Sequence, residues 1–303
     1  MQVSFSVMLT HADPVRLRAH VAALAGERHP ETSPSALAAA GEFVADHLVG
    51  VGLCVERQAF TFRSRRYYNV VGVATAATPD RPRILIGAHF DTVVGTPGAD
   101  DNASGVAAML ETARLLAELE LDATVEFVGF NLEEPQGFTY RVGSRAFAAD
   151  ARRRGVRYAG VFVLEMVGYT DSTRGSQHVP ALLFWKRVPK TGTFLAATGH
   201  RRSAKLLRTF ADVARAAVPE LQVVKFRTPL NGWLVPDTRL SDNASFWDAG
   251  YPALMLTDTA FLRNPNYHRS TDGIETLDFG FMANVTDAVA AVAVRQAGPK
   301  SID

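Results

Sequence analysis

The chain reads as an α/β protein, a single three-layer domain in which a mixed, mostly parallel sheet carries helices on both faces. Three observations predict this. From about residue 83 onward, apolar strand-like runs alternate with segments of helical periodicity, and such alternation requires crossovers and hence parallel pairing. The runs are nearly continuous in apolar residues, as in Arg83-Ile84-Leu85-Ile86-Gly87-Ala88, the composition of strands buried on both faces. Finally, 303 residues that are 47% hydrophobic and 21% charged suffice for one sizeable core. No linker, repeat or low-complexity tract divides residues 1–303.

The expected elements follow in order. Two helices open the chain at 14–25 and 35–51, the second with Leu37, Ala40, Val44, Leu48 and Val51 on one stripe, and within residues 1–60 they are expected to pack on the sheet. Strands are expected at 57–62, 67–75 and 83–88, bounded by turn residues such as Pro79-Asp80 and Pro82. Helix 103–119 turns Val106, Met109, Leu110, Ala113 and Leu116 inward; strand 124–130, helix 146–154 and strand 160–165 come next. Residues 169–190 lack either period and read as a long functional loop or insertion. Strand 194–198, helix 203–217, strands 222–226 and 253–257, and a final helix bearing Met282, Val285, Val289 and Val292 complete the pattern.

Composition excludes several function classes. Thirty-two basic against 31 acidic residues leave a formal charge of +1, too balanced to attract nucleic acid or an anionic membrane surface. The arginine clusters at 63–66 and 152–154 read as a solvated loop and a solvated helix end. No stretch reaches the ~18 apolar residues of a membrane span. The single cysteine, Cys54, rules out an intrachain disulfide and is expected in the core. A reducing, cytoplasmic location fits, and so does a secreted form trimmed of its signal.

The chemistry concentrates where strands end. Ala88-His89-Phe90-Asp91 follows the apolar run at 83–88, and Asp100-Asp101 comes ten residues later; Glu133-Glu134 and Glu165 sit at or past the next two strands, and Tyr267-His268 past the last. In an open parallel sheet the carboxyl ends of strands share one crevice, so these groups converge. Zinc accepts imidazole nitrogen and carboxylate oxygen, and a hydrolytic site keeps a position open for water. Two histidines with three carboxylates suit two metals if one carboxylate bridges. Asp91, two residues past His89, shares its face on an extended chain and is placed to accept the ring N–H. Glu133 and Glu134 cannot point the same way, so one is expected to bind metal and the other to hold the proton of water. Arg239 is a candidate to face the cleft and meet an oxyanion or a substrate carboxylate. Phe246, Trp247, Trp233 and Phe261 are candidates to line a side-chain pocket.

With these segments in hand, the chain resembles metallopeptidase family 28, the co-catalytic zinc aminopeptidases and their relatives. The matching segments are HFDTVVGTPGADDNASG, NLEEPQG, LEMVGY, SDNASFWDAGYPALMLTDTA and NPNYHRSTD, in order from residue 89 to residue 272. The resemblance implies that His89, Asp101 and Glu165 hold one Zn2+, that Asp101, Glu134 and His268 hold a second, that Glu133 is the general base and that Asp91 orients His89. It also implies a cis peptide after Asp101 and a peptide substrate with a free N-terminus. Two positions depart from the family's commonest pattern: Glu165 stands where many members have aspartate, and Asn243 follows Ser241-Asp242 where histidine is frequent. The function expected is a zinc aminopeptidase. Its rivals are a single-zinc glutaminyl cyclase, an acid-directed carboxypeptidase, for whose extra domains this chain lacks room, and a non-catalytic receptor-like member.

Overall fold

Proline occupies the start of each of the two opening helices, α1 (Pro14–Leu24) and α2 (Pro34–Gly50), where its fixed φ suits a helix and its missing N–H would have no partner in any case. Asp13 caps α1, its carboxylate accepting from the Val15 N–H at 2.8 Å. The computed structural model describes residues 10–76, 78, 80–135, 140–179 and 188–298. Pro79 of the expected turn, Gln136-Gly137 of the NLEEPQG segment and residues 180–187 of the expected long loop lie outside the described residues.

After the helices come β1 (Cys54–Phe62), β2 (Arg65–Ala74), β3 (Arg83–His89), α3 (Gly105–Ala117), β4 (Val125–Phe130), α4 (Val142–Arg153) and β5 (Tyr158–Leu164). The second half adds β6 (Leu195–Gly199), α5 (Ala204–Ala217), β7 (Val223–Arg227), α6 (Asn243–Asp248), β8 (Ala253–Thr257) and α7 (Phe279–Ala297). The eight strands form one sheet in the order β1-β2-β4-β3-β5-β8-β6-β7. At its centre β4, β3, β5 and β8 run parallel. The β1–β2 hairpin joins β4 antiparallel, and β6, with β7 parallel to it, joins β8 antiparallel. The sheet is therefore mixed about a parallel middle, and the four central strands deliver their carboxyl ends to one edge.

Alternation along these strands divides the core. Ile84, Ile86, Phe127, Phe162, Leu164, Leu254 and Leu256 pack with residues of α2, α3, α5 and α7. Leu85, Val128, Phe130, Val161 and Val163 pack with Phe147 of α4 and Phe246 and Trp247 of α6; the rings of Phe130 and Phe147 lie 5.8 Å apart. Helix α1 lies chiefly against α3 and α7 rather than directly on the sheet.

Several expectations shift. Strand β1 begins at Cys54, not at residue 57, and its thiol is exposed, not buried: an edge strand pairs on one side only, so an apolar neighbourhood in sequence does not bury it. Helix α4 starts at Val142, four residues before the expected 146, because the N–H groups of Arg141, Val142 and Gly143 first pair with the carbonyls of Glu133, Leu132 and Asn131. Helix α6 was not foreseen; its six residues are too few for a periodic signal.

Between α1, α2 and α3 the imidazoles of His20 and His47 meet edge to face with centroids 4.5 Å apart, each with a buried Nε2 that finds no hydrogen-bond partner among the described residues. Burial pushes His20 down to about 4 and lowers His47 as well. Both are neutral at pH 7. The unfolded chain binds protons near pH 6.5 that the folded protein refuses, so stability present above that pH is lost as the pH falls toward 4. The denaturant midpoint should therefore drop less between pH 7.5 and pH 5 in His20→Leu than in the natural protein; equal drops would refute this.

Candidate metal centre

His89 is the last residue of β3 and is 1% exposed. Its Nδ1 lies 3.2 Å from the Asp91 main-chain oxygen and 3.5 Å from Asp91 Oδ1, which turns Nε2 toward three acids. Asp101 Oδ1 and Glu165 Oε2 each stand 3.4 Å from that nitrogen, and Glu133 Oε2 stands at 4.0 Å. His268, held face to face with the Tyr267 ring at 3.8 Å, points its Nε2 at the other side of the cluster, 3.2 Å from Asp101 Oδ2 and 3.5 Å from Glu134 Oε1. Asp101 thus offers one oxygen to each histidine. Donor atoms of His89, Asp101 and Glu165 lie within 4.8 Å of one another, as do those of Asp101, Glu134 and His268.

Local structure explains the aim of each acid. The Asp101–Asn102 peptide is cis. Asn102 then ties this loop to the end of β5, donating to Leu164 O at 2.9 Å and accepting from Met166 N at 3.0 Å, one residue on either side of Glu165. Gly105 must lack a side chain because a Cβ there would lie 2.4 Å from Asn102 Oδ1. Asp100 turns away from the cluster and accepts from Gly168 N at 2.9 Å and Asn264 Nδ2 at 2.7 Å. Asp272 receives the N–H groups of Asp100 and Asp101 at 2.9 and 3.1 Å. The Asp91 carboxylate accepts from Glu133 N at 2.9 Å and Glu134 N at 3.0 Å. It therefore fixes the two glutamates as well as lying beside His89, and sequence spacing offered no signal for that second job. Ser241 Oγ donates to Glu165 Oε2 at 2.5 Å, another contact the sequence did not announce.

The electrostatics are those of crowded, desolvated acids. Burial alone would lower His89, but Glu165, Asp101 and Asp91 outweigh it and hold the imidazole well above its usual value. Burial would raise Asp101, yet His268 and His89 keep it below the carboxylate range. Glu134 is pushed up to about 8 by burial and by the Asp101 charge, and burial holds Glu133 well above the usual carboxylate range too, with Glu134, Asp242 and Glu165 adding to it and His89 opposing. His89 Nε2, Asp101 Oδ1 and Glu133 Oε1 are buried without a hydrogen-bond partner among the described residues. Unpaired donor atoms of nitrogen and oxygen, surplus negative charge and convergence within a few ångströms fit a zinc-type divalent cation.

Other candidates fall elsewhere. Arg239 Nη2 donates to both carboxylate oxygens of Asp248 at 2.8 Å, Nη1 donates to Asn231 O at 2.8 Å, and the guanidinium lies 4.2 Å over the Trp233 ring, so these donors are committed to a neighbouring turn and helix rather than to the cleft. Phe246 and Trp247 fill the core under α6, and Trp233 is 68% exposed. Phe261 does line a cavity of about 180 Å3. Glu165, Leu240 and Tyr267 line that cavity and also the cleft of about 230 Å3 that holds Asp101, Glu133, Glu134 and His268. Asn243, where the family pattern favours histidine, donates to Thr238 O at 3.0 Å.

The carboxyl edge of a mixed α/β sheet thus gathers imidazoles and carboxylates around an open cleft, an arrangement suited to holding divalent metal. The chain belongs to peptidase family M28, whose model matches residues 69–293. Over 290 residues it is 35% identical to YfbL of Escherichia coli (strain K12), described as an uncharacterized protein, covering 92% of this chain and 87% of that one. Its fold is similar to that of the LapA aminopeptidase of Legionella pneumophila, with a TM-score of 0.74 at 18% identity over 96% of this chain and 73% of that one. It is similar also to the glutaminyl cyclase of Porphyromonas gingivalis, with a TM-score of 0.72 at 17% identity over 95% of this chain and 100% of that one.

Removing the Asp91 carboxylate leaves two buried N–H groups unpaired and His89 without one of its neighbours. Asp91→Ala should weaken zinc binding by roughly 10- to 100-fold in a chelator-competition titration. Unaltered affinity would show that the carboxylate does not organise the site.

Proposed function

We propose that the protein is a zinc-dependent aminopeptidase that removes the N-terminal residue from peptides. The observation that carries this reading is the shared Asp101: one carboxylate with an oxygen toward each of two histidine-acid sets. In this reading His89, Asp101 and Glu165 hold one zinc, and Asp101, Glu134 and His268 hold the other. When bound, zinc supplies a Lewis acid that acidifies water and polarises the scissile carbonyl. Glu133 is the remaining acid of the cluster. Its carboxylate lies within 4.0 Å of His89 Nε2, has an oxygen without a partner, and is held at high proton affinity by burial. It takes the proton of the attacking water and returns it to the leaving amine nitrogen. The surrounding carboxylates favour a substrate that brings a positively charged or hydrogen-bond-donating amino end.

Selectivity, in this reading, comes from the adjoining cavity. Ala196 and Thr198 of β6, Val224 and Phe226 of β7, and Met255 and Thr257 of β8 line it, with Leu240 and Phe261 at its sides. Such a lining suits a large apolar side chain, whose burial is worth about 1.5–3 kcal/mol. Peptides or anilides beginning with leucine, methionine or phenylalanine are therefore expected to exceed alanine by at least about tenfold in kcat/KM.

Two variants test the reading. Glu133→Gln should retain zinc by elemental analysis while turnover of leucyl-anilide falls by more than about a thousandfold; a near-normal rate would remove Glu133 from the role of base. Ala196→Phe fills the cavity and should abolish the preference for leucine over alanine with zinc content unchanged. One zinc per chain together with pyroglutamate formation from N-terminal glutamine would instead assign the protein to the cyclase reading.

A further inference from the structure

Arg28 lies in the turn after α1, is 2% exposed, and spends its guanidinium on main-chain carbonyls. Its Nε donates to Phe90 O at 2.7 Å, Nη1 to Gly26 O at 2.6 Å, to Pro97 O at 3.0 Å and more closely to Leu24 O, and Nη2 to Gly98 O at 2.9 Å. The main chain adds two bonds, Arg28 N to Thr92 Oγ1 at 2.9 Å and Thr92 N to Arg28 O at 3.1 Å. Phe90 directly follows His89, and Gly98 stands three residues before Asp101. One side chain therefore grips both ends of the loop that joins the two arms of the metal centre.

The packing leaves this grip no slack. Gly98 has φ +59, and a Cβ there would lie 2.4 Å from Thr92 Cγ2, 2.5 Å from Asp101 O and 2.9 Å from Arg28 Nη2. The guanidinium, Thr92 and the Asp101 main chain thus meet around a single backbone position. A buried guanidinium with carbonyl partners alone is costly to desolvate, and opposite charge at longer range compensates: Asp91, Asp101, Asp272 and Glu134 all act to keep it protonated. Burial brings Arg28 down to about 10, so it stays cationic at neutral pH.

We propose that Arg28 is a positioning residue of the metal centre, setting the separation between the His89–Asp91 arm and the Asp100–Asp101 arm so that the donors are in place before a cation arrives. The inference rests on the reading of these residues as zinc ligands. It requires that loosening Arg28 weaken zinc binding by more than the accompanying loss of stability explains.

The test measures zinc affinity by chelator competition and thermal midpoints of the zinc-free chain, using zinc alone as the probe. Arg28→Lys keeps the charge but cannot reach both loop ends. Thr92→Val removes the acceptor of the Arg28 main-chain N–H, which holds Arg28 to the same loop, with little change in volume. Val285→Ala, in the core packing of α7, serves as a destabilised control. Arg28→Lys is expected to bind zinc at least tenfold more weakly, Thr92→Val about threefold more weakly, and Val285→Ala as the natural chain does, even where it melts at the same temperature as Arg28→Lys. Equal zinc affinity in Arg28→Lys and Val285→Ala overturns the inference while leaving the metal centre standing. If Arg28→Lys fails to fold, unchanged affinity in Thr92→Val overturns it. A natural chain that takes up no zinc overturns the metal reading itself, and this inference with it.

Discussion

The constraint on which the rest of the structure depends is the crowding of ionisable acids out of water. Asp91, Asp101, Glu133 and Glu134 are at most 5% exposed, and Glu165 stands beside them. Carboxylates this close in a medium of low polarizability oppose one another's ionisation, and an isolated core would neutralise them or expel them. The fold answers with directed donors instead. Main-chain N–H groups converge on Asp91 and on Asp272, imidazoles stand against Asp101, and the Arg28 guanidinium lies behind the loop that carries Asp101. These donors orient the acids without satisfying every oxygen: Asp101 Oδ1 and Glu133 Oε1, on residues that line the cleft, are buried without a partner among the described residues.

Topology makes such crowding possible. Only where neighbouring strands run parallel do their carboxyl ends and the following loops open on the same side, and β4, β3, β5 and β8 do so. Each contributes at or just beyond its end: His89 closes β3, Glu133 and Glu134 follow β4, Glu165 follows β5, and His268 lies in the loop after β8. Residues separated by up to 179 positions in the chain, His89 and His268, thereby address opposite oxygens of one aspartate.

This logic was legible in the sequence because it is written in runs and ends. The apolar run before His89, the helical stripe of α3 and the clusters following each strand identify both the fold class and the residues that meet, since periodicity and strand ends are local properties. What was not legible is what depends on side-chain direction at short range. Asp91 was read as a partner for an imidazole ring, and the stronger fact is its hold on the backbone of the two glutamates. The position of Arg239 before Ser241-Asp242 points it toward the cleft, but its guanidinium lies instead on Asp248, Asn231 O and the Trp233 ring. Cys54 was read as core because its neighbours are apolar, and pairing on one side only leaves it at the surface. Arg28 carried no motif at all, since its partners are carbonyl groups, which every residue possesses.

In the proposed reading, chemistry and selectivity arise from different halves of one sheet. The parallel middle builds the metal-facing edge, whereas the reversal at β6, antiparallel to β8, extends the sheet beyond the reach of α4 and α6. On one face of this extension α5 packs through Leu206, Leu207 and Phe210. On the other, among the described residues, turns take the place of a helix, and Ala196, Thr198, Val224, Met255 and Thr257 look into a cavity rather than into a packed layer. A helix laid across this face would fill the space and turn the site into a cleft with no place for a side chain. The hollow beside Glu165 is thus the direct result of where the sheet changes direction, and a change of residue on β6 alters its lining without touching the imidazoles and carboxylates of the cluster.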